Sequence, residues 1–134
     1  MTEAEARARF AASPVARLAT ATPDGLPHLV PIVFALHAGT TIYHGVDAKP
    51  KRHTALRRLA NLDANPRASI LVDHYEDDWS TLWWVRADGT ARDVDPAAPE
   101  GRAAVRLLEA RYPRFSLRGR LIAIDVTGWS WWTA

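Results

Sequence analysis

The 134-residue chain contains no cysteine. That removes disulfides, thiolate metal sites and cysteine nucleophiles together, and it fits a cytoplasmic protein. Long apolar runs are also missing: none approaches the roughly 20 residues that a membrane-crossing helix needs, so no membrane partner is expected. The opening Met1-Thr2-Glu3-Ala4-Glu5 is acidic and polar, unlike a secretory signal. No Gly-rich turn joins a strand to a helix as in a dinucleotide-binding unit. No linker, repeat or low-complexity tract breaks the chain, so residues 1–134 are expected to form one domain. An excess of one charge is lacking too. The formal net charge is +2, too small to argue for nucleic acid.

What is present is a core's worth of apolar residues, 48% of the chain, and an uneven distribution of charge. Lys49, Lys51, Arg52, His53, Arg57 and Arg58 fall close together with no acid among them. The stretch from Asp73 to Asp78 is their acidic counterpart. One region is built to meet an anion, and the other offsets it within the fold or in a partner subunit.

Local patterns predict strands with helices inserted. Thr2 to Ala12 reads as a helix capped by Thr2 and stopped at Ser13-Pro14. Val15 to Thr22 is a strand, and Pro23-Asp24-Gly25 is turn chemistry. Every residue from Leu29 to Leu36 is apolar, which predicts a strand buried on both faces. Ala38-Gly39 turns into a strand over Thr41 to Val46, and a helix covers Pro50 to Leu62. Strands follow at Ala68 to Asp73 and Leu82 to Ala87, with Asp88-Gly89 read as a hairpin turn into Thr90 to Val94. A third helix spans about Ala98 to Arg111, and the last strand runs from Arg120 to Trp132. The pattern is a barrel with helices packed over it.

Three constellations could carry chemistry. The segment Lys49-Pro50-Lys51-Arg52-His53 follows a strand and opens a helix, where side chains and free backbone N–H groups converge as in a phosphate site. Read blandly, it is a solvated helix face. Yet cations at a helix N-terminus oppose its dipole at a few tenths of a kcal/mol each unless an anion sits there. Six tryptophans form the second group: Trp79, Trp83, Trp84, Trp129, Trp131 and Trp132. They either fill core and interface or stack on a planar ring. Neighbours on a strand point to opposite faces, so Trp83 and Trp84 divide, as do Trp131 and Trp132. The third group is His28, His37, His44, His53 and His74, which show no metal-ligand spacing with carboxylates. No metal is expected. Nucleophile motifs are absent, and the adjacent Asp77 and Asp78 face apart.

The run Ala16-Arg17-Leu18-Ala19-Thr20, then Asp24-Gly25, Pro27-His28 and Val30-Pro31-Ile32-Val33-Phe34, resembles the pyridoxamine-phosphate-oxidase-like split-barrel flavoproteins. Lys49-Pro50-Lys51, Leu56 and Asn65-Pro66-Arg67 match that superfamily's cofactor-phosphate region. The block from His74 to Trp79, with Leu82-Trp83-Trp84-Val85-Arg86 and Asp88-Gly89, is similar to a narrower actinobacterial subgroup regarded as users of the deazaflavin coenzyme F420. The resemblance implies a mainly β, α+β fold: a six-stranded split β-barrel of the FMN-binding type with helices packed over it. It also implies a homodimer with two cofactor clefts at the subunit interface. The cofactor phosphate would fall on Lys49, Lys51 and Arg52, and the ring along Val30, Pro31, Ile32 and Val33. The surplus cations His53 and Arg57, farther along the helix, suit the carboxylated tail of F420. The chain is shorter than true pyridoxamine phosphate oxidases and lacks their C-terminal substrate segment, which argues against vitamin B6 chemistry.

The expected function is therefore hydride transfer between reduced F420 and a small organic acceptor. An FMN-dependent flavoprotein on the same fold is the nearest rival, and a non-catalytic cofactor carrier the rival of another class. No catalytic side chain is assigned. Tyr43, His28, Tyr75 or water could supply a proton.

Overall fold

The computed structural model describes residues 1–47 and 54–134. Helix α1 (Glu3–Ala12) is followed by β1 (Ala16–Ala21), β2 (Pro27–Ile32), β3 (Ala35–His37) and β4 (Thr41–Gly45). Helix α2 (Thr54–Ala64), β5 (Arg67–His74), β6 (Trp83–Val94), α3 (Pro99–Arg111) and β7 (Leu121–Thr133) complete the order. A short 3₁₀ turn at Trp79–Thr81 precedes β6. Among the described residues no helix is long and apolar enough to cross a membrane.

All seven strands join one antiparallel sheet in the order β2-β1-β5-β6-β7-β4-β3. The expectation of six strands is thus exceeded by one, and the hydrogen-bonded ladder does not close: β2 and β3 are its two ends. The chain passes from one end to the other through Val33 and Phe34 alone.

Alternation along the strands sorts the side chains. Leu18, Ile70, Val72, Val85, Ile122 and Ile124 are fully or almost fully buried in the main core, while Arg17, Ala19, Leu71, Trp84 and Arg86 line a hollow on the opposite face. Helix α1 enters this core through Phe10, whose ring meets Phe34 and Trp129 edge-on, each at a centroid distance of 5.1 Å. The helix is set by its cap: the Thr2 hydroxyl accepts from the Glu5 N–H at 3.2 Å. A second cluster, with Tyr43, Val94, Ala104, Leu108, Phe115 and Leu121, packs α3 against β3 and β4.

Two expectations change. The apolar run from Leu29 to Leu36 is not one strand buried on both faces. Strand β2 stops at Ile32, and Leu29 is 67% exposed with Pro31 beside it in the open. An edge strand explains this, since β2 pairs only with β1 and an edge tolerates Pro27 and Pro31. Nor do Asp88 and Gly89 make a hairpin turn. They lie within β6, which pairs with β7 along its whole length, and the register shifts at this point. Glycine is needed there because a Cβ on Gly89 would stand 2.4 Å from the Asp125 carbonyl oxygen. The Ala38-Gly39 turn does form, with both residues at positive φ, 54° and 69°, as a tight hairpin requires.

Candidate functional site

The corner between β2 and β3 is held from three sides. The Tyr112 hydroxyl at the end of α3 accepts from the Phe34 N–H at 3.2 Å. It also lies 3.0 Å from the carbonyls of Phe34 and Pro14, either of which can take its proton. Arg111 donates to the carbonyls of Ala11 and Ser13, tying the end of α1 to the same place. From β4, the His44 Nδ1–H donates to the Val33 carbonyl at 3.1 Å.

That last bond decides the chemistry of His44. A carbonyl can only accept, so Nδ1 carries the proton and Nε2 is left as an acceptor. It accepts from the Arg58 Nε–H at 3.1 Å. The imidazole is buried, and burial first, then the Arg58 charge, lowers its pKa from 6.5 to about 4. His44 is therefore neutral at physiological pH, and its tautomer fixes the half-buried guanidinium of Arg58. Burial in turn lowers the Arg58 pKa, without threatening its charge.

Arg58 and His44 form one wall of a cleft of about 240 Å³, completed by Val15, Pro31, Ile32, Val33, Gly45 and Asp47. Its elements are the end of an edge strand, the end of β4 and the first described turns of α2. Edge-strand backbone offers groups outside the ladder that can meet a planar ligand's polar edge. The arrangement can place such an edge beside Pro31–Val33 and an anion beside Arg58.

The predicted site residues distribute as follows. Pro31, Ile32 and Val33 line the cleft. Val30 does not; it points inward and packs on the main core. Arg57 is exposed and lines a smaller hollow of about 110 Å³ with Thr22, Leu26, Pro27, His28 and Asn61. Lys49, Lys51, Arg52 and His53 lie outside the described residues. His44 and Asp47 were not singled out as site residues from sequence, and Arg58 only as part of a charge run. The strand pattern Thr41-Ile-Tyr-His-Gly45 carried the available signal, because a histidine inside an apolar strand needs a partner.

Neither candidate tyrosine lines the cleft. Tyr43 donates to Glu100 at 2.8 Å, and burial, then that bond, raises its pKa to about 12. Glu100 is itself held by Arg92 through two bonds at 2.8 and 2.7 Å, then by Tyr43, and its pKa falls to about 2. Tyr75 sits exposed in the acidic loop after β5, away from the cleft lining. The tryptophans divide as strand geometry requires. Trp83, Trp129 and Trp131 pack on the core, whereas Trp84 lines the opposite face and Trp132 is 42% exposed.

Comparison with known structures gives the same architecture. A conserved hypothetical protein of Mycobacterium tuberculosis superposes with a TM-score of 0.74 at 25% identity, covering 99% of this chain and 85% of that one. An FAD-binding protein of Mesorhizobium loti gives 0.73 at 21%, covering 98% and 92%. The heme storage protein HutZ of Vibrio cholerae gives 0.69 at 16%, covering 97% and 90%. A search of curated proteins finds no match. The sequence matches the family described as pyridoxamine 5'-phosphate oxidase over residues 2–132, nearly its whole length, and the chain belongs to that family.

Proposed function

We propose that the protein is an oxidoreductase that moves a hydride between reduced coenzyme F420 and a small organic acceptor. The observation that carries this reading is the cleft itself, where edge-strand backbone at Pro31–Val33 lies beside an arginine oriented by a neutral, buried histidine. When bound, the deazaflavin ring supplies the hydride chemistry. The chain's own residues bind, orient and exclude water. Arg58 neutralises the cofactor phosphate, and Lys49, Lys51 and Arg52 follow cleft-lining Asp47 closely in sequence. Pro31 to Val33 receive the ring edge. With Tyr43 committed to Glu100 and neither Tyr75 nor His28 in the cleft lining, water is the proton source.

The same reading includes a homodimer. Leu29, Leu71 and Trp84 line a hollow of about 540 Å³ on the outer sheet face, rimmed by the Arg17–Asp73 and Arg86–Asp88 pairs. A second copy of the chain covers this surface. Pro31, two residues beyond exposed Leu29 on the same strand face, lines the cleft. The partner therefore borders the cofactor.

A flavin-dependent reaction is the second reading, supported by the FAD-binding protein of the same fold. Fluorescence titration with F420 and FMN at two ionic strengths tests the choice. F420 is expected to bind at least tenfold tighter, a gap of about 1.4 kcal/mol, and the gap shrinks with salt as its tail contacts are screened. Equal affinities, or tighter FMN, refute the F420 assignment. Tight binding without hydride transfer to any acceptor makes the protein a carrier.

A further inference from the structure

One stretch of chain backs the cleft. Residues 112–120 join α3 to β7 and meet the β2–β3 corner, β4 and α2 in turn. At its start the Tyr112 hydroxyl accepts from the Phe34 N–H and lies 3.0 Å from the Phe34 and Pro14 carbonyls. In its middle, Phe115 and Leu117 press on Gly45 so closely that a Cβ there would stand 2.9 Å from each. The Val46 carbonyl accepts from the N–H groups of Arg118 and Gly119, and the Val46 N–H donates to the Arg120 carbonyl at 3.1 Å. At its end the Arg120 guanidinium donates to both carboxylate oxygens of Asp63 on α2, at 3.0 and 2.7 Å.

These contacts differ in what they control. Arg120 and Asp63 form an exposed ion pair, and such pairs contribute little. The Tyr112 hydroxyl acts on the cleft wall itself. Ala16 and Ile32 form the last rung of the β1–β2 ladder at this end, and beyond that rung Tyr112 ties the continuations of the two strands. Pro14 leads into Val15, and Val33 leads into Phe34; both valines line the cleft. From the other side His44 donates to the Val33 carbonyl at 3.1 Å. The backbone at Val33–Phe34 is therefore fixed from β4 and from the end of α3 together. Tyr112 does not line the cleft, so it acts through this backbone.

We infer that Tyr112 is a positioning residue of the cleft. Its hydroxyl sets where the Pro31–Val33 wall stands relative to Arg58, and hence where the ring edge rests once the phosphate is held. This rests on the cofactor reading above and adds the control of ring placement to it. Phenylalanine at 112 keeps the aromatic ring and removes one oxygen, which leaves the Phe34 N–H without this partner.

The test compares the full-length protein with its Tyr112→Phe and Val72→Ala variants. Val72 is buried in the main core on β5 and lines no part of the cleft, so its variant controls for lost stability alone. Dissociation constants for FMN and F420, and the visible absorption band of the bound ring, are measured well below each melting temperature. Tyr112→Phe is expected to weaken whichever cofactor the wild type binds at least tenfold and to alter the absorption band. Val72→Ala is expected to change affinity less than twofold and to leave the band as in wild type. Matched losses in the two variants, an unchanged band, or wild-type affinity in Tyr112→Phe overturns the positioning role and leaves the cofactor reading standing. A Tyr112→Phe chain that does not fold at any temperature makes the hydroxyl a structural group and overturns the role equally. If the wild type binds neither cofactor, the cofactor reading falls and the positioning role falls with it.

Discussion

Acidifying the protein should loosen the cleft before it affects most surface ion pairs, because His44 must accept a proton it cannot accommodate. In the fold His44 titrates at about 4, against 6.5 for a free histidine. Between those values the unfolded chain binds the proton and the folded one does not, so stability rises with pH across that window. It is fully present above about pH 6.5 and lost as pH falls to about 4. A difference of this size, at about 1.4 kcal/mol per decade, amounts to about 3 kcal/mol. The structural cause is specific: protonating Nε2 sets a second donor and a positive charge against the Arg58 guanidinium, with Asp47 giving only partial compensation. Urea unfolding between pH 4 and 7.5, at fixed protein concentration, reads the slope. His44→Gln is less stable at pH 7 but should lose about 3 kcal/mol less than wild type over that range. His28, whose pKa burial and the Arg57 and Arg58 charges also lower, is present in both proteins and cancels in the comparison. Glu100, held down by Arg92, acts below about 4.5 and affects both alike. Parallel pH profiles for wild type and His44→Gln would refute the assignment of a neutral, buried imidazole.

Phe10→Ala removes the ring that joins α1 to Phe34 and Trp129 and should cost about 3–5 kcal/mol, read as a lower urea midpoint with unchanged slope. Gly89→Ala drives a Cβ into the Asp125 carbonyl and should cost about 1–3 kcal/mol; an unchanged melting temperature would contradict the close β6–β7 approach. Leu29→Asp places a charge in the outer apolar face and should yield monomers by light scattering at micromolar concentration. A wild-type protein that is already a folded monomer there would remove the proposed interface.

Where sequence and fold agree, a local rule and the tertiary environment point the same way. Helix α1 starts at Thr2's cap, α3 opens on Pro99, and Asn65-Pro66 ends α2. Trp83 and Trp84 fall on opposite faces because strand geometry allows nothing else. Where they disagree, long-range pairing decides. Asp88-Gly89 has the composition of a hairpin turn, but β7 supplies a partner strand along the full length of β6 and converts the pair into a register shift. An apolar run predicts burial, yet the edge position of β2 leaves Leu29 bare. The site shows the same split. The Pro31–Val33 wall follows from the resemblance, whereas the His44–Arg58 contact joins residues fourteen apart on different elements, which no spacing rule connects.

We propose that the cleft between β2, β4 and α2 holds a phosphorylated tricyclic cofactor. A crystal structure of the protein grown with F420 tests it most directly. The expected result is the ring edge against the Pro31–Val33 backbone, the phosphate within hydrogen-bonding distance of Arg58, and His44 still donating to the Val33 carbonyl. A cofactor bound on the outer sheet face, or one whose phosphate makes no contact with Arg58, would contradict it.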